Sequence, residues 1–188
     1  MIYKLRAKFG NYFIKRILSK SERKVHVVDL AKAKSVGVLF KDVDEALLTK
    51  IEKFGNEITS KFNIKDIQIL AYTTKRAKER PAYIKDSKLT KFFSIKETNF
   101  FLKPTADCVK QFIAKPMDLL IDFSKNKFEP LRFVTAMSDA PFKVGRYAEQ
   151  DEDFYDLMIN LEDHKTDEEF FKQLMHYLSM INENNGKK

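Results

Sequence analysis

The sequence lacks the residues from which most metal and redox sites are built. Its 188 residues include one cysteine, three histidines and no tryptophan. Because Cys108 has no second cysteine to pair with, a disulfide framework and any cysteine-based zinc or iron–sulfur site are excluded, and the chain suits a reducing compartment. The histidines at positions 26, 164 and 176 form no pair at metal-ligand spacing. We therefore expect no metal ion and no cofactor.

Glycine and long apolar runs are scarce as well. The five glycines of the chain allow neither GxGxxG nor GxxxxGKS/T, which excludes the phosphate loops of standard dinucleotide folds and P-loop NTPases. No apolar run approaches the roughly 18–20 residues of a membrane span. The start of the chain has no uninterrupted apolar stretch followed by a small-residue cleavage site. We expect a cytoplasmic protein without a transmembrane segment.

Positive charge is concentrated in two segments. The formal net charge is +8, and residues 1–34 hold ten Lys/Arg against two acids, so the rest of the chain is neutral in sum. Residues 75–91 hold seven bases against two acids. Segregated basic charge usually addresses a polyanion or an acidic surface. The predicted polyanion-binding residues are Lys4, Arg6, Lys8, Lys15, Arg16, Lys20, Arg23, Lys24, Lys75, Arg76, Lys78 and Arg80. The alternative is docking in cis on the acidic stretches 149–153 and 162–169.

Residues 1–24 have the periodicity of an amphipathic helix. Its predicted apolar face, with steps of three and four, is Ile2, Leu5, Phe9, Phe13 and Ile17. Three lysines fall on the opposite side, and Gly10 weakens the middle of the helix by about 1 kcal/mol relative to alanine. Such a basic helix is able to lie on an anionic membrane surface, pack on the body of the protein, or bind RNA or a groove of a partner.

From Ser35 onward, short β-rich runs alternate with helical patterns. The predicted strands are 35–40, 67–72, 92–95, 117–123, 142–147 and 155–161, and the predicted helix caps are Asp42 with Glu45, Thr105, and Thr166 with Glu169. This alternation is typical of a parallel sheet with helices on both faces. We predict an α/β, three-layer sandwich with a mainly parallel sheet of five or six strands, Rossmann-like without a glycine-rich nucleotide loop. The predicted organisation is an arm of residues 1–34, one α/β domain of residues 35–182 and a polar tail of residues 183–188.

Four runs of this sequence resemble a known family. They are Ser35–Phe40 (SVGVLF), Asp118–Ser124 (DLLIDFS), Ala136–Tyr147 (AMSDAPFKVGRY) and Tyr155–Leu161 (YDLMINL). The resemblance is to an uncharacterised Bacteroidota family, a domain of unknown function, and it covers roughly residues 35–182. It implies a compact bacterial cytoplasmic α/β protein and brings no activity or catalytic residue with it.

Polar residues follow several of the predicted strands. In an open parallel sheet, ligands bind at the carboxyl ends of the strands, near the point where the strand order reverses. The candidate pocket residues, suited to a phosphate or carboxylate, are Asp42, Asp44, Thr73, Thr74, Asp122, Ser124 and Arg146. Asp42 and Asp44 also have the spacing of a metal-chelating carboxylate pair, although a helix cap explains both. No Ser–His–acid triad can be assembled, and Cys108 is interpreted as a buried, inert thiol.

These patterns favour a non-enzymatic binding or adaptor protein. Its basic arm and the 75–91 segment would engage a polyanion, with RNA or a ribonucleoprotein as the favoured partner and the membrane surface as the second. Tyr83 within that segment, and Phe92 and Phe93 directly after it, would stack on bases while lysines contact phosphates. The alternative is a small-molecule, transferase-like enzyme that binds a phosphorylated or nucleotide-linked ligand at the carboxyl ends of the strands.

Overall fold

A parallel sheet forms the centre of the protein. The structure, a computed structural model, describes residues 2–28, 30–41, 44–75, 77–125, 128–161 and 166–185. Within this part of the chain the six strands are β1 Ser35–Lys41, β2 Asp66–Tyr72, β3 Thr90–Phe93, β4 Leu119–Asp122, β5 Phe142–Arg146 and β6 Leu157–Ile159. Their order is β3-β2-β1-β4-β5-β6, and every neighbouring pair is parallel. The prediction of an α/β fold with a parallel sheet is confirmed.

Helices cover both faces of this sheet. The described residues form α1 Ile2–Leu18, α2 Glu45–Phe62, α3 Asp107–Ala114, α4 Glu129–Met137 and α5 Asp167–Asn185. Helices α2 and α5 pack on one face, and α3 and α4 pack on the other. None of the helices in the described ranges combines the length and the apolar character that crossing a bilayer requires.

Alternate residues of β1 point to opposite helical layers. Val38 and Phe40 belong to the cluster under α2 and α5, whereas Leu39 belongs to the cluster under α3 and α4. All three side chains are buried, as expected for a strand covered on both faces. Beyond the end of β4, the ring of Phe123 packs on Phe170 of α5, with ring centroids 5.2 Å apart. The carboxyl end of the sheet is thereby tied to the start of α5.

Two helix starts differ from the predicted ones. Asp44 is the N-cap of α2, and its Oδ1 accepts a hydrogen bond from the backbone N–H of Leu47 at 2.7 Å. The predicted cap, Asp42, lies outside the described residues. The prediction that Thr105 caps α3 is wrong, because α3 begins without a side-chain cap and the Thr105 hydroxyl donates to the carbonyl oxygen of Glu97 instead.

Helix α1 packs on the outer side of α4. Residues 129–136 of α4 are all buried, because the sheet covers one side of this helix and α1 covers the other. Ile14 of α1 forms a buried cluster with Phe133 and Phe154. After α1, Val28 belongs to the core under α2 and α5. The described residues of the predicted arm are therefore packed on the α/β body, and some of them lie in its core.

Only the carboxyl-terminal part of the predicted apolar face of α1 packs on the body, where Phe13 and Ile17 contact the cluster around Ile14. Ile2, Leu5 and Phe9 are 71%, 51% and 46% exposed, whereas Gly10 is buried. A Cβ atom at Gly10 would lie 2.6 Å from the carbonyl oxygen of Phe101. Only a residue without a side chain allows the helix to approach this loop so closely. Gly10 is thus the contact point of the helix rather than its weak point.

Replacing Gly10 with alanine should destabilise the protein, although alanine is the better helix former. The added methyl group meets a backbone carbonyl that cannot easily move, and we expect the free energy of unfolding to fall by about 1–3 kcal/mol. Urea denaturation measures the change.

Gly55 in α2 is the matched control for this substitution. A Cβ atom there has its nearest neighbour at 3.7 Å, an ordinary contact distance. Gly55→Ala should therefore raise the free energy of unfolding by up to about 1 kcal/mol, since it improves helix propensity without a clash. Equal stabilisation by both substitutions would contradict the close contact at Gly10.

Candidate functional site

A small polar pocket lies at the carboxyl ends of β4 and β5. Its volume is about 120 Å³. Three of the predicted pocket residues, Asp122, Ser124 and Arg146, line it together. Three further lining residues, Arg132, Asp151 and Tyr155, were not predicted from the sequence. They come from α4 and from the segment between β5 and β6, so their positions were not predictable from the strand ends.

Asp122 is the buried carboxylate of this pocket. It ends β4, is 3% exposed, and accepts hydrogen bonds from the hydroxyl of Tyr155 and from the backbone N–H of Ser124, both at 2.8 Å. Burial raises the pKa of Asp122, and the hydrogen bonds from Ser124 and Tyr155 oppose this shift. Burial and the neighbouring carboxylate raise the pKa of Tyr155 well above its usual value. Tyr155 therefore stays protonated and acts as the donor of this pair.

Gly145 in β5 makes room for the ring of Tyr155. A Cβ atom at Gly145 would lie 2.7 Å from two ring carbons of Tyr155. The strand thus provides a flat backbone surface on which the ring rests, with its hydroxyl directed at Asp122. A glycine inside a strand is a known sign of such a close approach, and it is a sequence signal from which this contact could have been inferred.

Arg132 connects the pocket to α1. Its side chain is 8% exposed and forms an ion pair with Asp151 at 2.5 Å. It also donates to the side-chain oxygen of Asn11 at 3.0 Å, and its guanidinium lies over the ring of Phe154 at 4.2 Å. The guanidinium thereby holds together α4, the 149–151 turn and α1, so its charge is largely satisfied within the protein.

Arg146 is also engaged within the protein. Its guanidinium donates to the carboxylate of Asp167, at the start of α5, at 2.7 Å, and it lies 4.2 Å from the ring centroid of Phe170. Lys125 approaches the same carboxylate at 3.0 Å. Since both cations face Asp167 and Arg132 faces Asp151, the pocket offers little unpaired positive charge to a phosphate.

The other predicted pocket residues lie elsewhere. Asp44 caps α2, and the hydroxyl oxygen of buried Thr73 accepts a hydrogen bond from the backbone N–H of Lys75. Thr74 lines a second, open pocket of about 550 Å³ together with Tyr3 and other residues at the ends of β1 and β2. Phe128 lines both pockets. The structure therefore divides the predicted site in two.

The described residues do not favour a metal site or a reactive thiol. Within the described ranges, no three His, Cys, Asp or Glu residues are grouped so that they could hold a metal ion. Burial raises the pKa of the Cys108 thiol, and Glu97 adds to the shift. The thiol form, which is a poor nucleophile, is favoured as a result.

Two arginines of the predicted polyanion-binding set are bound in cis. Arg23 donates to both carboxylate oxygens of Asp156, at 2.7 and 2.8 Å, and to two main-chain carbonyl oxygens. Arg6 donates to the carbonyl oxygen of Phe100 at 2.9 Å. These contacts fasten α1 and the segment after it to the body, so both side chains have a structural role.

The other basic residues of that set lie mostly at the surface. Those that are exposed and form no ion pair with any described residue are Lys4, Lys8, Lys15, Arg16, Lys20, Lys24, Lys75 and Lys78. Lys15 nevertheless shares an open pocket with Glu149, Glu152 and Asp153, the acidic stretch considered for docking in cis. Arg76 lies outside the described residues.

The aromatic rings within and directly after the 75–91 segment pack on the protein. Phe92 and Phe93 are buried in β3, and Tyr83 packs against the core under α2 and α5. The prediction that Phe92 and Phe93 stack on bases is therefore wrong, because both belong to a strand covered by other parts of the protein. Arg80 lies 4.0 Å from a carboxylate oxygen of Glu97.

Helix α1 instead presents two lines of side chains to the surface. The outer stripe consists of the exposed residues Ile2, Leu5, Phe9 and Tyr12, and the lysine row consists of Lys4, Lys8 and Lys15. Each set recurs at helical spacing, so each forms a line along the axis. At 3.6 residues per turn, the two lines are about 100° apart around the helix. Ile2, Leu5 and Phe9 were predicted to lie on one apolar face together with Phe13 and Ile17, and whether that face packs on the body or stays free was left open.

The chain belongs to a family of unknown function, DUF6913, whose family model matches residues 6–181. The membership in an uncharacterised family expected from the four strand-rich runs is thus confirmed. No curated protein and no solved structure matches the chain. Because the match begins in α1 and ends in α5, it includes most of the predicted arm as well as the sheet.

The pH dependence of stability tests the burial of Asp122. Because the folded-state pKa is raised above the unfolded value of about 3.9, the free energy of unfolding falls as the pH rises from the unfolded pKa through the folded one. Asp122→Asn removes this titration, so its stability relative to the wild type should increase over that range. Urea denaturation at several pH values between about 4 and 7 measures the difference.

Glu57→Gln provides the control, since it removes an exposed carboxylate on α2, far from the pocket. If the stability difference between Asp122→Asn and the wild type does not change with pH, burial does not raise the pKa of Asp122.

Proposed function

We propose that this protein is a non-catalytic binding protein that engages a polyanionic partner through α1. The observation that carries the proposal is the lysine row, which is exposed and forms no ion pair with any described residue. It lies on a helix that is fixed to the body by its opposite side. Lys4 and Lys8 are therefore presented to the exterior as a line of like charge, which is a suitable arrangement for a surface of phosphates.

The rigidity of α1 supports this role. The hydroxyl of Tyr3 donates to Glu129 of α4 at 3.0 Å, Arg6 holds the loop that contains Phe100, and Asn11 accepts from Arg132. A helix that is already ordered in the free protein does not have to lose backbone freedom when it binds. The charges of the lysine row are thus preorganised, whereas those of a disordered arm are not.

The position of α1 brings the two basic segments to the same edge of the sheet. Tyr3 and Thr74 line the same open pocket, so the start of α1 lies beside the exit of β2. Lys75 and Lys78, which follow that exit, are exposed. A partner bound along the lysine row would therefore have the basic residues of the 75–91 segment within its neighbourhood, which adds long-range attraction.

Docking in cis accounts for only part of the positive charge. Arg23 is neutralised by Asp156, and Lys15 faces the acidic stretch across a shared pocket without forming an ion pair. Lys4 and Lys8, at the other end of α1, are exposed and form no ion pair with any described residue. This distribution favours a partner in trans over self-neutralisation.

A small-molecule, transferase-like function at the carboxyl ends of the strands is the second candidate. The observation that favours it is the buried pair of Asp122 and Tyr155 in a pocket at the position where α/β proteins bind ligands. A volume of about 120 Å³ is small for a nucleotide-linked ligand, and the neighbouring cations are paired. Thermal stabilisation by a phosphorylated or nucleotide-linked compound, lost in Asp122→Asn, would support this function over the first.

Neutralising the lysine row should weaken polyanion binding. We expect Lys4→Gln/Lys8→Gln/Lys15→Gln to lose three phosphate contacts, so that the negative slope of log affinity against log salt concentration becomes shallower by about 2 for a single-stranded RNA. Fluorescence anisotropy with a labelled single-stranded RNA, and flotation with vesicles that contain phosphatidylglycerol, at two salt concentrations, measure the effect on both phosphate carriers.

The matched control is Lys53→Gln/Lys61→Gln/Lys172→Gln. It removes the same charge from exposed positions of α2 and α5, on the face of the sheet opposite to α1. Binding that falls equally in both triple variants would indicate a response to net charge alone and would contradict the assignment to α1. If the wild type binds neither the RNA nor the vesicles, the proposed function is overturned.

A further inference from the structure

The outer stripe is a continuous line of exposed apolar side chains. Ile2, Leu5, Phe9 and Tyr12 are all exposed, and they follow one another at steps of three and four along α1. Single exposed apolar side chains are common on soluble proteins, but a contiguous line of large ones marks an interaction surface. Phe100 is exposed as well and lies beside the helix, because Arg6 donates to its carbonyl oxygen and stacks over its ring.

The charges around the outer stripe indicate what covers it. The lysine row runs along one side of the stripe, and Arg16 and Lys20, both exposed, lie at its carboxyl-terminal end. Apolar side chains flanked by lysines are the arrangement of helices that lie in the interface of an anionic bilayer, with the apolar side chains below the headgroups and the lysines at headgroup level. The phosphates of such a surface are complementary to this row.

An open groove next to the stripe adds an independent observation. Its volume is about 770 Å³, and its apolar part is formed by Phe13 and Ile17 of α1, Phe101, and Met137 of α4. Three cations, Arg16, Lys20 and Lys103, and two acids, Glu22 and Asp139, also line it. An apolar floor with an excess of cations at the rim is complementary to a phospholipid, whose acyl chains would contact the floor and whose phosphate would contact the cations.

We propose that α1 lies on an anionic phospholipid bilayer, with the outer stripe inserted among the headgroups and the lysine row on the phosphates. This inference rests on the proposed function and names its polyanion. Nucleic acid is less suited to the stripe, because Ile2 and Leu5, unlike Phe9 and Tyr12, have no ring to stack on a base. Phe92 and Phe93, which follow the 75–91 segment, are buried.

The first test separates insertion from simple charge attraction. The full-length protein is mixed with vesicles of phosphatidylcholine alone or with about 30% phosphatidylglycerol, and bound protein is separated by flotation. We expect binding to the anionic vesicles only, a loss of at least about tenfold in Ile2→Gln/Leu5→Gln, and about fivefold per lysine removed from the row. Tyr177→Gln/Met180→Gln, at exposed apolar positions of α5, is the control and should bind as the wild type does.

The second test measures whether the outer stripe of α1 enters the bilayer. The chain has no tryptophan, so Tyr12→Trp introduces a single reporter in the outer stripe and Tyr177→Trp introduces one on α5. Insertion predicts a blue shift of the emission of Tyr12→Trp when anionic vesicles are added, and no shift for Tyr177→Trp. Unchanged unfolding temperatures of the variants establish that each one is folded.

The outcomes distinguish the inference from the proposed function. Salt-sensitive vesicle binding that needs the lysine row, but shows no blue shift and no loss in Ile2→Gln/Leu5→Gln, overturns insertion and leaves polyanion binding intact. Binding to RNA without binding to anionic vesicles identifies a nucleic acid partner and also overturns insertion. Binding to neither overturns both. A blue shift together with the loss in Ile2→Gln/Leu5→Gln supports the inference.

Discussion

The close contact between Gly10 and the loop that contains Phe101 determines the rotation of α1 about its own axis, and so which side of the helix faces the body. A Cβ atom at position 10 would lie 2.6 Å from the carbonyl oxygen of Phe101, so the helix can approach only with its glycine inward. Ile14 follows one turn later and packs on Phe133. The same rotation points Leu5 outward. The surface that α1 offers to a partner is therefore a consequence of one backbone contact on its other side.

The strands were predictable because their signal is local. Each buried parallel strand is a short apolar run between helical patterns, as in β1, Ser35–Lys41, and β4, Leu119–Asp122. The orientation of α1 was not predictable in this way, because apolar residues occur on more than one side of the helix and periodicity does not say which side packs. Helix α4 did carry a signal: its apolar residues occur all round, which is expected of a helix covered on both sides.

The polar pocket was predictable at the strand ends and unpredictable elsewhere. Asp122 and Arg146 end strands, and their common edge follows from parallel topology. The other contacts of the pocket join distant parts of the chain. Tyr155 donates a hydrogen bond to Asp122, 33 residues earlier, and Arg132 of α4 forms an ion pair with Asp151, which follows β5. Residue type and spacing do not encode such pairs. Gly145 could have indicated one such contact, because a glycine within a strand is a sign that another group lies against the backbone.

The packing of α1 determines which perturbations are informative about its function. Deleting the helix would expose Phe133, which α1 helps to bury, and would remove the hydrogen-bond partners that Asn11 and Tyr3 provide to Arg132 and Glu129. The uncovered side of α4 would then be an apolar surface with its own tendency to associate. Loss or gain of binding after truncation would report this damage as well as the absence of lysines. Substitutions confined to the outer stripe and the lysine row leave the buried side of α1 in place, and so they separate what the helix binds from what it holds together.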